Sequence, residues 1–214
     1  FKLPDGLSYE EGTLIEPLAC CLRAVRRAGV GLGDRVAIVG AGPSGLMISF
    51  LSRLSGATLV AISDLVPYRL RAARELGVDL AINAVEESLG EAVRAETDGL
   101  GADIVFITAP SLKAIEAGAE ALRRGGKLMI FAPTSPEVKW PIRPNEVFFN
   151  EITIMASYST THVETRDALE ILMAHREVLG KLITHRFKLS QISDAFRLAK
   201  ESKECLKVVV LGAT

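Results

Sequence analysis

The run Arg35-Val-Ala-Ile-Val-Gly40-Ala-Gly42-Pro-Ser-Gly45-Leu-Met47 constrains the fold of this chain more than any other stretch. An apolar run rich in β-branched residues, three glycines spaced G-x-G-x-x-G and the opening of a helix follow one another without a break. Asp64 stands nineteen residues beyond Gly45, at the end of the next apolar run, Thr58-Leu-Val-Ala-Ile62. Strand, glycine turn, helix and then an acid at that distance make up the dinucleotide-binding fingerprint. The alternatives are a structural glycine turn in another doubly wound protein, or a nucleotide site of another kind, such as that of a methyltransferase.

Each position has a physical reason. Gly40 lets the chain leave the strand in a tight turn, Gly42 removes the side chain where backbone would approach a pyrophosphate, and Gly45 lets helix and strand pack closely. Pro43 and Ser44 open the helix, whose free N–H groups and partial positive charge face the phosphates. Asp64 can accept hydrogen bonds from both ribose hydroxyls of NAD and would repel the 2′-phosphate of NADP. NAD is therefore the expected cofactor and NADP the less favoured one, with Ser63 and Arg69 flanking the acid.

The remaining pattern predicts an α/β fold, a doubly wound parallel sheet. After an irregular opening (1–15), a helix is expected from Pro17 to about Ala28, and strands at Arg35–Val39, Thr58–Ile62, Leu80–Ile82, Asp103–Ile107 and Lys127–Phe131. Helices are expected between them, the fourth over Ser111–Arg124 with Ser111 as N-cap. Apolar runs that do not alternate suit strands covered on both faces. From Ala132 the prolines 133, 136, 141 and 144 predict a long irregular excursion to a strand at Glu151–Ala156. A helix (163–173), a strand (182–186), a helix (192–202) and a last strand (206–211) complete the chain.

With 25 basic and 26 acidic residues the net charge is −1, so there is no electrostatic case for nucleic acid or a membrane surface. No apolar run approaches the roughly 20 residues of a membrane span. The three cysteines, Cys20, Cys21 and Cys205, lack metal-site spacing and fit a reducing, cytoplasmic setting. Of the histidines, His175 is expected to be exposed, His162 to lie in a surface loop and His185 to be a packing residue.

Several stretches, in order, resemble the zinc-type medium-chain dehydrogenase/reductases, the group of alcohol, sorbitol and threonine dehydrogenases. They are Leu3-Pro-Asp-Gly6, Glu16-Pro-Leu-Ala19, Gly33-Asp-Arg through Gly45, and Ser63-Asp64 with Arg69. Thr97-Asp-Gly-Leu-Gly-Ala-Asp-Ile-Val105, Gly125-Gly-Lys-Leu128, Ile183-Thr-His-Arg-Phe187 and Lys207-Val-Val-Val210 follow. The resemblance implies a six-stranded Rossmann domain over 16–158, a remnant of the substrate domain over 1–15, and a segment over 159–214 that returns to the substrate domain. It also implies that the Cys and His-Glu ligands of a catalytic zinc belong to a part N-terminal to Phe1, so that most of the metal site is missing here.

The same resemblance implies the site residues. Glu16 would neighbour the zinc, as a direct or water-mediated ligand; without the resemblance it is simply an acid at a helix start. Arg69 would reach the adenosine ribose or the adjacent phosphate. Thr108 and Ala109 would lie beside the adenine-ribose and nicotinamide ribose, and Phe131 and Ala132 near the nicotinamide. Ala156, Ser157 and Tyr158 would meet the carboxamide through backbone. Ser157 stands where sorbitol dehydrogenases carry a substrate-contacting arginine, a departure that bears on polyol specificity.

The activity implied is reversible oxidation of a secondary alcohol or polyol, with zinc as Lewis acid and hydride passing to C4 of NAD. The chain by itself is expected to be inactive, and a homodimer or homotetramer is expected through 151–156. The competing readings are a stand-alone dinucleotide-binding or dimerisation module, and a zinc-free quinone or enoyl reductase.

Overall fold

The structure, a computed structural model, describes residues 1–212. Six strands, β1 (Arg35–Val39), β2 (Leu59–Asp64), β3 (Leu80–Asn83), β4 (Ala102–Ile107), β5 (Leu122–Ile130) and β6 (Thr153–Ala156), form one parallel sheet in the order β3-β2-β1-β4-β5-β6. The order reverses between β1 and β4, which opens a crevice at their carboxyl ends. That is the doubly wound sheet the sequence predicts.

Period-two alternation sorts the strand side chains into two cores. Val36, Ile38, Val60, Ile62, Ile104, Phe106 and Met129 face one layer, while Ala37, Val39, Ala61, Val105, Ile107 and Leu128 face the other. The first layer is covered by helices α2 (Ile15–Ala28), α3 (Pro43–Leu54), α4 (Pro67–Glu75) and α8 (His162–Ala174), the second by α5 (Leu89–Ala95) and α6 (Leu112–Ala121). Burial on both faces explains why these strands read as continuous apolar runs.

The remaining elements are α1 (Tyr9–Gly12), α7 (Pro144–Asn150), α9 (Arg176–Leu179), strands β7 (Ile183–Lys188) and β8 (Lys207–Leu211), and α10 (Ile192–Glu201) between those strands. β7 and β8 pair in parallel as a separate two-stranded sheet. Ala168 and Leu172 of α8, with Leu182, Ile183 and Val209, join the same core as α2 and α3. Arg23–Glu164 and Arg26–Asp167 ion pairs tie α2 to α8 along their flanks.

Several boundaries differ from expectation. α2 begins at Ile15, because a proline in the first turn needs no N–H donor and Pro17 can sit inside it. Within the opening stretch Ser8 and Glu11 form a reciprocal capping box that nucleates α1. The proline-rich excursion contains α7, started by Pro144 at its first position. α6 stops at Ala121, since Leu122 leaves the helix to pair with Ala102. His175 is half-buried, with its ring edge-on to Phe50 at 5.1 Å, rather than exposed. His162 is exposed but opens α8 rather than lying in a loop, because Thr161 and Glu164 form a capping box just before it, and His185 lies within 3.0 Å of the Thr184 hydroxyl.

Candidate functional site

The glycine loop joins β1 to α3 at the crevice. Gly40 adopts φ +106°, a conformation that favours glycine, and a Cβ there would lie 2.6 Å from Thr108 Oγ1. A Cβ on Gly45 would lie 1.9 Å from the carbonyl oxygen of Gly40, so this contact admits no side chain. Gly42 is different. A Cβ there would meet nothing within 4 Å, and its φ of −68° is open to any residue. Fold alone therefore explains two of the three glycines.

Two groups hold the loop. Thr108, just past β4, points its hydroxyl at the carbonyl oxygens of Val39 and Gly40, 2.9 Å from each, and its own N–H donates to Val39. Asp64, at the end of β2, is buried, and its carboxylate accepts the N–H of Ala41 at 2.7 Å and that of Val66 at 2.9 Å. Arg69, in the first turn of α4, brings a guanidinium nitrogen to 3.7 Å from the same carboxylate. α3 has Pro43 at its start and no side-chain cap, so its first-turn N–H groups open onto the crevice.

Across the sheet, Phe131 and Ala132 leave β5 with both N–H groups donating to the Ile107 carbonyl oxygen at 3.0 Å, while Ala109 follows Thr108 beside them. Ser157 follows β6, donating its N–H to Ile130 at 3.3 Å, and its buried hydroxyl has no hydrogen-bond partner. Tyr158, the next residue, is 93% exposed. The structure thus brings Gly40, Gly42, Pro43, Ser44, Gly45, Asp64, Arg69, Thr108, Ala109, Phe131, Ala132, Ser157 and Tyr158 to the carboxyl ends of the strands. An extended dinucleotide fits this row, because helix dipole, open backbone and a carboxylate anchor follow one another along it.

Glu16 lies apart from that row, exposed in the first turn of α2, where it accepts the Cys20 thiol at 3.2 Å. Burial, followed by the Glu16 carboxylate, pushes the Cys20 thiol up to about 11. Lys207, at the start of β8, is half-buried and senses the charge of Glu16. Nothing in the sequence singles out Lys207 beyond its place in the terminal motif, and only the packing of β8 brings it here. Among the described residues no group of three or more His, Cys, Asp or Glu side chains could hold a metal ion. Glu16 and Cys20 by themselves do not make a zinc site.

A cavity of about 650 Å³ lies at the opposite end of β5, lined by Trp140, Leu122, Ile152 and several arginines. Its arginines are engaged: Arg123 pairs with Asp103, Arg143 with Glu146, and Arg94 donates to Glu120.

Residues 43–174 match the family model for zinc-binding dehydrogenases. The chain is 34% identical over 212 residues to a sorbitol dehydrogenase from Bacillus subtilis, covering 98% of this chain and 59% of that protein. Among solved structures it is similar to an alcohol dehydrogenase from Thermotoga maritima, with a TM-score of 0.92 and 28% identity over 100% of this chain and 60% of that one. A zinc-binding dehydrogenase from Sinorhizobium meliloti, solved with NADP bound, gives a TM-score of 0.90 and 28% identity over 99% of this chain and 62% of that chain. The chain thus spans about three fifths of the length of the relatives it matches. On the family match, supported by fold and glycine loop, this chain belongs to the zinc-binding dehydrogenases.

Proposed function

We propose that this chain holds NAD for hydride transfer to or from a secondary alcohol or polyol. The observation that carries the reading is the contrast within the glycine loop. Gly40 and Gly45 are explained by the fold, while Gly42 leaves open backbone at the start of α3. Gly42 and the first turn of α3 (Pro43, Ser44, Gly45) receive the diphosphate. Asp64 and Arg69 receive the adenosine ribose. Thr108 and Ala109 lie along the riboses, with Phe131, Ala132, Ser157 and Tyr158 toward the nicotinamide.

NAD is favoured over NADP because two backbone N–H groups hold the Asp64 side chain in place at the end of β2. It cannot swing aside to admit a 2′-phosphate. Arg69 does not remove this bias, since it faces the same carboxylate. The cofactor when bound supplies the redox chemistry, and the chain supplies position and electrostatics. Zinc chemistry is not assigned to its residues: Glu16 remains a zinc neighbour only by resemblance.

The same resemblance supports residues 16–158 as the cofactor domain, 1–15 and 159–214 as parts of a substrate domain, a cytoplasmic setting, and assembly into a homodimer or homotetramer through β6. The test is calorimetric titration with NADH, NADPH and ADP-ribose. Binding of NADH and ADP-ribose, with NADPH at least tenfold weaker, is the expected result. No binding of any of the three would overturn the reading. A zinc-free quinone or enoyl reductase is disfavoured by Glu16-Pro17.

A further inference from the structure

Helix α2 carries three arginines on one face, Arg23, Arg26 and Arg27, at the three- and four-residue spacing of helix neighbours. Arg23 and Arg26 pair with Glu164 and Asp167 of α8. Arg27 has no carboxylate partner among the described residues. It donates its Nε–H instead to the carbonyl oxygen of Ala156, the last residue of β6, at 3.2 Å and 129 residues away in the chain. A cation in the last turn of a helix also suits the dipole, but a side chain left in solvent would serve that purpose equally.

The bond lands at one end of a thinly held segment. Alternate residues of a parallel strand turn their backbone groups to the same neighbour. Ser157 donates its N–H to Ile130 at 3.3 Å, so Ala156 turns its carbonyl past the open edge, where no strand of this sheet can reach it. Among the described residues the Ser157 bond is the one backbone–backbone hydrogen bond of 157–160, and Ser159 adopts φ +60°. The Ser157 hydroxyl is buried without a partner and Tyr158 is exposed, so neither side chain fixes the turn by a hydrogen bond. At the far end the Thr161–Glu164 box starts α8, and Glu164 faces Arg23. The arginines of α2 thus hold both ends of the connection.

We propose that Arg27 is a positioning residue for the nicotinamide half of the cofactor: it fixes the end of β6 and so the backbone of Ser157 and Tyr158. This role rests on the dinucleotide reading, which sets those two residues toward the nicotinamide. A guanidinium-to-carbonyl bond is charge-assisted, and it removes in advance freedom that binding would otherwise have to remove. The same helix reaches the diphosphate half as well, since the Cys21 thiol faces the Ser44 carbonyl oxygen, in the first turn of α3, at 3.6 Å. One rigid element therefore carries a contact at each half of the cofactor row. Arg27 engages Ala156 alone and leaves Ile154, two residues earlier on the same edge, untouched.

Calorimetric titration of NADH and ADP-ribose into the wild type, Arg27→Gln and Arg27→Lys separates this role from the reading beneath it, because ADP-ribose lacks the nicotinamide. Arg27→Gln is expected to weaken NADH about fivefold, the scale of one hydrogen bond, and to leave ADP-ribose within about twofold of wild type. Arg27→Lys, which keeps a cation able to reach the carbonyl, should recover most of the NADH affinity. Hydrogen exchange in the free Arg27→Gln protein should quicken over 154–161 and stay unchanged over 36–47. Quickening of both segments would mark general destabilisation and overturn the role of Arg27. Unchanged NADH affinity in Arg27→Gln, or an equal loss for ADP-ribose, would overturn it too and leave the cofactor reading standing. Failure of the wild type to bind either ligand would sink both. Arg27 is exposed, so Arg27→Gln should fold with a thermal midpoint close to that of the wild type. Should it not, Arg27→Ala carries the same comparison.

Discussion

The carboxylate of Asp64 accepts the N–H of Ala41 at 2.7 Å, joining the end of β2 to the middle of the glycine loop across 23 residues of sequence. The acid of the fingerprint is thus a latch on the loop as well as a candidate ribose acceptor. Asp64→Ala leaves the buried N–H of Ala41 and the part-buried N–H of Val66 unpaired, at a cost of about 1–3 kcal/mol in stability. Asp64→Asn, which keeps an acceptor oxygen, should lose less stability and narrow the gap between NADH and NADPH. Urea denaturation and cofactor titration on both variants read the two roles separately.

The glycines divide by function. Gly45→Ala drives a methyl into the Gly40 carbonyl oxygen, and should lower stability by several kcal/mol or prevent folding. Gly42→Ala should leave the thermal midpoint nearly unchanged, because its Cβ meets open space, yet weaken NADH at least tenfold. Normal NADH affinity in a well-folded Gly42→Ala protein would contradict the placement of the diphosphate.

β6 is one of the two edge strands of the sheet and carries no proline or charge to guard it. Phe148 and Phe149, 75% and 61% exposed, stand beside it. In sedimentation or light scattering the wild type should be a dimer or tetramer, and Ile154→Lys a folded monomer. A monomeric wild type at micromolar concentration would rule out this edge as the interface.

Stability should fall in acid for a traceable reason. The hydrogen bonds from Ser8, and then Arg176, hold the Glu11 carboxyl below its ordinary value of 4.5, and Thr161 does the same for Glu164. A carboxylate depressed in the folded state contributes stability above 4.5, and loses it as pH falls from there through the folded value. Glu11→Gln should flatten that part of the pH–stability curve, and hydrogen exchange over 8–15 should then speed up at neutral pH. The Arg186–Glu10 pair should not compensate, being exposed and salt-screened.

The thiols should be quiet. With Cys20 pushed up to about 11, and Cys21 raised further by complete burial, alkylation of the native protein at pH 8 should be roughly a hundredfold slower than for a free thiol. Rapid labelling of Cys20 would show that burial and Glu16 do not hold its thiol in the protonated form.

The local signals in the sequence reached a long way. Apolar runs of buried strands, glycine spacing and N-cap serines depend on neighbours within a turn or two, so the strands of the sheet and the positions of Gly40, Gly42, Gly45 and Asp64 were legible, while the strand order came from the structure. Ser111 does cap α6, as its position before an apolar helix predicts. Elements carried by reciprocal side-chain bonds or by pairing partners were less so. The Ser8–Glu11 box made α1 in a stretch that reads as irregular, and Leu122 left its helix because Ala102 offers it a partner.

What the sequence determined is a dinucleotide fingerprint on a doubly wound sheet, because that pattern is written in spacing along one continuous segment. What only the tertiary structure decided is the difference among the glycines and the latch that Asp64 makes on the glycine loop. Those depend on contacts between positions far apart in the chain, Ala41 with Asp64 and Gly40 with Thr108, which no spacing records.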